Sequence, residues 1–173
     1  MTLDDYITLD CRDGNCSACE TCSHHCHAGL RVLTVRQPWA DAIINLGKDV
    51  ENRTRNIAGA YKGPVAIHAA KQLLPIDETL EAGKFIGDLT GYMPLFTMPA
   101  GRGAILGVVD LTETHPESRS HPCDCSDWAE IDRWHLVLAN PRPLTEPIPF
   151  KGALGLRRLP DDVAEQVWAA VAA

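Results

Sequence analysis

The sequence predicts a mixed α/β or α+β domain with a Cys/His-rich N-terminal extension. Three observations predict it. Residues 30–56 read as strand, helix, strand. The second half is rich in short apolar runs of strand length, at 103–112, 134–138 and 153–159. Composition changes abruptly at residue 29, before which aliphatic residues are scarce and Cys, His, Asp and Ser abound. Periodicity by itself goes no further than this class.

The 173 residues suit one domain with an appendage, and a hydrophobic fraction of 45% is enough for one sizeable core. No apolar run is long enough to span a bilayer. The acidic start, Met1 to Tyr6, lacks an apolar signal segment, so a soluble, cytoplasmic protein without membrane partners is expected. Net charge is −7, and residues 1–29, with five acids and one base, contribute −4 of it. Tight non-specific binding to duplex DNA needs phosphate neutralisation, which this balance disfavours, although a local basic cleft remains compatible with it.

The elements follow in order. Residues 30–35 form a strand, and a helix over 38–46 follows. Pro38 suits the first helical position, where its missing N–H has no partner to lose. Trp39, Ile43 and Leu46 recur at helical spacing, and Gly47 suits a left-handed stop. A second strand covers 50–56. Lys48 and Glu51, three apart, would face opposite ways on a regular strand, so they converge only if the chain turns between them. Residues 65–69 are a short apolar strand carrying His68, either a core histidine or a donor to a ligand. A helix is expected over 76–85, with Asp77 and Glu78 near its positive end. Residues 87–101 read as a long loop with apolar content, a cover for the core or a cleft wall. The 103–112 strand is apolar on both faces, hence central, with Asp110 near its end. Residues 113–130 read as a polar loop. The next strand, 134–138, is expected to stop at Asn140-Pro141-Arg142-Pro143. Residues 146–150 are extended by their prolines. A last strand over 153–159 precedes a terminal helix, which docks on the domain or forms a dimer contact.

Seven cysteines in a cytoplasmic chain argue for metal or redox chemistry rather than a disulfide framework. Cys16, Cys19, Cys22 and Cys26 follow one another at two- and three-residue gaps, with His24, His25 and His27 among them. Such spacing can wrap zinc. It also equals a ferredoxin cluster run, but Cys26 precedes His27 instead of proline and no second run exists. The plain alternative is a flexible tail that meets metal adventitiously. Zinc on these four cysteines is carried forward. Downstream, His115, His121, Cys123 and Cys125 make a second ligand-like group. One residue between Cys123 and Cys125 is tight for chelating a single ion. A tail folding back to share its metal with this loop would unite the two groups.

The stretch Arg36-Gln37-Pro38-Trp39, followed by Gly47-Lys48, Glu51 and Arg53, resembles the opening of ASCH domains, relatives of the PUA fold. The likeness continues at Gly63 to Ala69, Gly103 to Asp110, Trp134 to Leu138 and Gly152 to Leu156, so it covers residues 30–159. The resemblance implies an α+β fold, a PUA-like mixed β-barrel with flanking helices. The division that follows is a tail over 1–29, an ASCH domain over 30–159 and a C-terminal helix over 160–173 packed on it.

The resemblance also implies a cleft that takes RNA or a modified nucleotide. Trp39 or Trp128 would stack on a base, Arg36 and Arg53 would meet phosphate, and Gln37 and His68 complete the binding set. Arg55 is as readily a solvated residue, and Trp39 a core anchor. A second reading is enzymatic. The sequence is similar at one point to small bacterial ASCH proteins that hydrolyse N4-acetylcytidine with a lysine, a threonine three residues later and a glutamate on a later strand. The lysine falls on Lys48, the threonine position on Glu51, and the acid has its nearest analogue, by strand order alone, at Asp110. Glu51 would then act as general base for water, with Lys48 stabilising an oxyanion. The same pair, with His68, would serve a ribonuclease, or it is a structural ion pair. A third reading makes the barrel a scaffold and the tail a metal-dependent contact for a protein partner.

Overall fold

The computed structural model describes residues 29–92, 101–118 and 123–171. Along them run β1 (Arg31–Val35), α1 (Trp39–Asn45), β2 (Val50–Arg53), β3 (Gly63–Ala69), α2 (Ile76–Thr90), β4 (Ala104–Pro116), β5 (Trp134–Pro149), β6 (Leu156–Arg158) and α3 (Asp161–Val171). The strands form one sheet in the order β2-β5-β4-β3-β1-β6. Strands β1 and β3 pair in parallel, and the other neighbours are antiparallel. A parallel pair needs a crossover, and here α1 and β2 supply it. Arg53 on the β2 edge donates to the Thr34 carbonyl of β1 at 2.8 Å. That bond draws the two sides of the sheet together into a half-barrel. The fold is therefore α+β, one mixed, partly closed sheet with flanking helices.

Successive strand residues divide between two cores, as they must in strands covered on both faces. Leu33, Val35, Val65, Ile67, Val109, Leu111 and Leu136 pack inward with Ala40, Ile43 and Ile44 of α1. Val32, Ala66, Ile105 and Val108 face the other way, against Leu159, Ala164 and Val167. The terminal helix thus docks on the sheet. A third, smaller cluster joins Ala42, Val50, Ile86 and Trp128. It fastens α2 and the loop before β5 to the base of α1. No described helix is long and apolar enough to cross a membrane.

Several boundaries differ from those expected. Pro38 precedes α1 instead of beginning it, whereas Gly47 takes the expected left-handed conformation with φ +77°. Helix α2 continues to Thr90 and ends on Gly91, also left-handed. Residues 113–116, expected in a loop, extend β4, because Glu113, Thr114, His115 and Pro116 pair with Val137, Leu136, His135 and Trp134. The Asn140-Pro141-Arg142-Pro143 stretch does not stop β5. Register shifts along β4–β5 and the left-handed Asn140 (φ 51°) carry the strand through it. Proline is tolerated at such irregularities because a ladder N–H is not required there. The last strand shortens to Leu156–Arg158. The tail cysteines Cys16, Cys19, Cys22 and Cys26, and with them the expected tail zinc, lie outside the described residues.

Candidate functional site

The strand–helix–strand opening builds one wall of a two-chambered cleft. After α1, Gly47 reverses the chain, and the Lys48 backbone N–H donates to the Ala42 carbonyl at 3.0 Å. This turn sends the Lys48 side chain inward, where the residue is 4% exposed. Its ammonium donates to the Val50 carbonyl. It also sits 5.4 Å from the Trp39 ring centroid and 5.6 Å from that of Trp128. Phe85 of α2 meets both indoles edge-on, at 6.0 and 5.9 Å. Burial lowers the Lys48 pKa, and the nearby Glu51, Glu130 and Asp49 carboxylates offset part of that effect. The chamber so formed measures about 390 Å³ and is also lined by Glu51, Asn52 and Glu130. Asn52 is held in place because its side-chain amide donates to the Trp128 carbonyl at 2.8 Å.

The second chamber shares Trp39, Glu51, Asn52 and Leu74 with the first and measures about 1090 Å³. It gathers Arg36, Arg53, Lys71 and Lys151 against a single acid, Glu51. Arg53 and Glu51 form an ion pair at 3.1 Å. His68, 2% exposed, lies on the chamber wall with Nε2 3.0 Å from the Phe150 carbonyl. A carbonyl only accepts, so Nε2 carries the proton and Nδ1 presents a lone pair. The backbone of Gly152 lies against this ring. A Cβ there would come within 2.5 Å of His68 Cε1 and 2.7 Å of Nδ1. Burial lowers the His68 pKa, with the Phe150 bond opposing it.

Below pH 6.5 the unfolded His68 takes up a proton that the folded one refuses until lower pH. Stability is therefore expected to fall as pH drops through this window. Urea midpoints for the wild type and His68→Gln at pH 7.5 and 5.5 check it, and the variant should show the smaller pH difference.

Of the candidate residues, Arg36, Trp39, Lys48, Glu51, Arg53, His68 and Trp128 all line one chamber or the other. The carboxylate of Glu51 turns to Arg53 and the ammonium of Lys48 to Val50, so no direct bond joins Lys48 and Glu51. Two candidates lie elsewhere. Asp110 is outside both chambers, clamped by Arg142 at 2.6 and 3.3 Å and by Asn140 at 2.9 Å. It cannot serve as the acid of a site built on Lys48. Gln37 is buried, and its Oε1 accepts the Asp41 N–H at 3.1 Å, holding the first turn of α1. Phe85, Asn52, Lys71, Lys151 and Gly152 were missed. Asn52 and Gly152 stand within the stretches that carry the resemblance, whereas Phe85, Lys71 and Lys151 reach the cleft only through long-range packing.

A separate group of side chains is able to hold a metal: His115, Cys123, Cys125 and His135, whose ligand atoms all lie within 4.8 Å of one another. Cys123 and Cys125, tightly spaced as they are, converge because the loop brings both sulfurs to one histidine. These ligands come from residues 115–135, and the tail cysteines lie outside the described residues. His121 is outside the described residues, and His135 was read only as a strand residue.

No protein-family model matches the chain. Two solved structures of the ASCH protein from Zymomonas mobilis are similar to it. One shares 16% identity over 81% of this chain and 93% of that one, with a TM-score of 0.48. The other, a single-residue mutant, shares 14% over 81% and 96%, also at 0.48. These are likenesses of overall shape.

Proposed function

We propose that the cleft binds a single-stranded RNA segment or a modified nucleotide. The base enters the aromatic chamber, and the sugar and phosphate occupy the basic one. The carrying observation is a pair of buried nitrogens on the basic side. Arg53 Nε and His68 Nδ1 make no hydrogen bond within the described protein. An unmet buried polar group costs about 1–3 kcal/mol, so a ligand or water that meets it is favoured. Four basic side chains around these nitrogens, in a chain of net charge −7, suit the phosphate. In the smaller chamber Lys48 donates and Glu51 accepts, complementary to the mixed edge of a cytosine-type base. Trp39 and Trp128 supply apolar walls.

The test is an NMR titration of the full chain with cytidine 5′-monophosphate, N4-acetylcytidine and a short RNA, beside the DNA oligomer of the same sequence. Resonances of Lys48, Glu51, Arg53 and His68 should move, RNA should bind more tightly than DNA, and affinity should fall with salt. Arg53→Ala removes a charge-assisted bond of about 1.5–3 kcal/mol, a loss of roughly 10- to 100-fold. Gly152→Ala should weaken binding, because its Cβ would collide with the His68 ring and force the ring or the backbone to shift. Unmoved spectra at millimolar ligand would refute the proposal.

One observation favours a second reading, a hydrolase acting on a modified nucleoside. Lys48 and Glu51 are both buried in one chamber, and burial holds the Lys48 pKa below its ordinary value. Glu51 would activate water and Lys48 would meet the developing oxyanion. Incubation with N4-acetylcytidine should then release cytidine and acetate, and Glu51→Gln should abolish the release. Incubation with RNA tests the ribonuclease form of the same idea. Intact substrates in both leave the binding reading alone.

A further inference from the structure

The group at the far end of the β4–β5 hairpin is a site in its own right. His115 and His135 are directly opposed partners on β4 and β5. Their rings cross edge to face at 5.4 Å. Cys123 and Cys125 come from the connection between the two strands. His135 Nδ1 lies 3.3 Å from each sulfur, His115 Nε2 lies 3.4 Å from Cys123 Sγ, and the sulfurs are 2.8 Å apart.

The outward ring nitrogens show why these histidines present lone pairs inward. His135 is fully buried, and its Nε2 faces two acceptors, the Glu130 carbonyl at 2.9 Å and the Glu117 carboxylate at 3.1 Å. Nε2 therefore carries the proton, and the lone pair falls on Nδ1, between the two sulfurs. Glu117 is itself buried. On the other ring, a Glu113 carboxylate oxygen lies 3.4 Å from His115 Nδ1, within ion-pair reach though not aligned as a hydrogen bond. A carboxylate behind each imidazole is the arrangement that orients metal-binding histidines.

We infer that His115, Cys123, Cys125 and His135 form a tetrahedral zinc centre, structural in role and independent of the N-terminal cysteines. Zinc bonds of about 2.3 Å to sulfur and about 2.0–2.1 Å to nitrogen set neighbouring ligand atoms about 3.4–3.8 Å apart. The three short nitrogen–sulfur separations, 3.3, 3.3 and 3.4 Å, come close to this range. The sulfur pair, at 2.8 Å, would open by about 1 Å to reach it. Two thiolates and two neutral imidazoles suit zinc among the common divalent ions, since hard cations prefer oxygen. Four protein ligands leave no open position for substrate, which assigns the ion to structure rather than catalysis.

The test compares zinc content, by elemental mass spectrometry, in three full-length chains purified without chelator. The first is wild type, the second carries Cys123→Ser and Cys125→Ser, and the third carries Cys16→Ser, Cys19→Ser, Cys22→Ser and Cys26→Ser. The second should hold one zinc fewer than wild type, and the third should keep one. Cobalt(II) loaded into the third should give a tetrahedral visible spectrum with thiolate charge-transfer intensity for two sulfurs. His115→Gln, at a partly exposed ligand, should weaken that spectrum even if the cysteine variants misfold. Equal zinc in the first two chains would overturn the inference. So would a metal-free third chain, an octahedral cobalt spectrum, or a Cys123–Cys125 disulfide in place of metal.

Discussion

Replacing Trp128 with alanine is expected to destabilise the protein by about 3–5 kcal/mol, the usual cost of removing a large buried aromatic ring. Trp128 is 8% exposed and packs with Ala42, Val50 and Ile86. Its edge contact with Phe85 and its place beside the Lys48 ammonium are lost together. The backbone bonds around it do not involve the ring and are kept. The Ser126 hydroxyl accepts the Trp128 N–H at 3.0 Å, and the Asn52 amide grips the Trp128 carbonyl. For a domain of this size each kcal/mol moves Tm by roughly 2–4 °C, so a fall on the order of 6–20 °C is expected. Trp128→Phe keeps a ring at the site and should lose less than half as much. Thermal melts of both variants check this. A Trp128→Ala fall under 2 °C would mean that the ring does not anchor the cleft wall.

The second large effect has the opposite sign. Lys48→Met is expected to raise stability, on the order of 1–2 kcal/mol, because it replaces a buried ammonium with an apolar chain of similar length. The ammonium has a carbonyl and two indole faces for company, but no carboxylate bonds it directly. Linkage adds a pH signature. The folded pKa of Lys48 is lowered, so between that value and 10.5 the unfolded chain holds the proton and the folded chain does not. Wild-type stability therefore rises with pH through that window. The advantage of the variant is greatest at neutral pH and shrinks as pH climbs toward 10.5. Binding should move the other way, with ligand affinity falling roughly 10- to 100-fold as a charged donor is lost. Gains in stability at the expense of function are characteristic of residues kept for binding. Chemical denaturation at pH 7 and 10 and a ligand titration on the same samples check both halves. A destabilised Lys48→Met protein would identify Lys48 as a structural anchor instead.

Much of the fold was legible because its signals are local. The left-handed Gly47 and the continuous apolar runs of β1, β3 and β4 each declare themselves within a few residues. The failures share a different cause. Pro141 and Pro143 read as a stop, yet β5 passes through them because its register against β4 is broken there. Residues 113–116 are polar enough to read as loop, yet their backbone groups find partners on β5, which no window of sequence reveals. The site divides the same way. Lys48, Glu51 and Arg53 stand together in a recognisable motif. Asp110 was placed by strand order, and the structure gives it to Arg142. His135 carried no mark in the sequence, since it becomes a ligand only through cross-strand pairing with His115.

Trp39, Glu51, Asn52 and Leu74 belong to both chambers of the cleft. A wall held in common makes the two halves of a ligand behave as tethered fragments. If a nucleotide is the ligand, as proposed, its base would meet the smaller chamber, once the phosphate is seated, at the high effective concentration set by the short covalent link between them. A free nucleobase and a free sugar phosphate should therefore each bind feebly, while the intact nucleotide binds far more tightly than either. Selectivity then resides in the length and geometry of the connector as much as in either end.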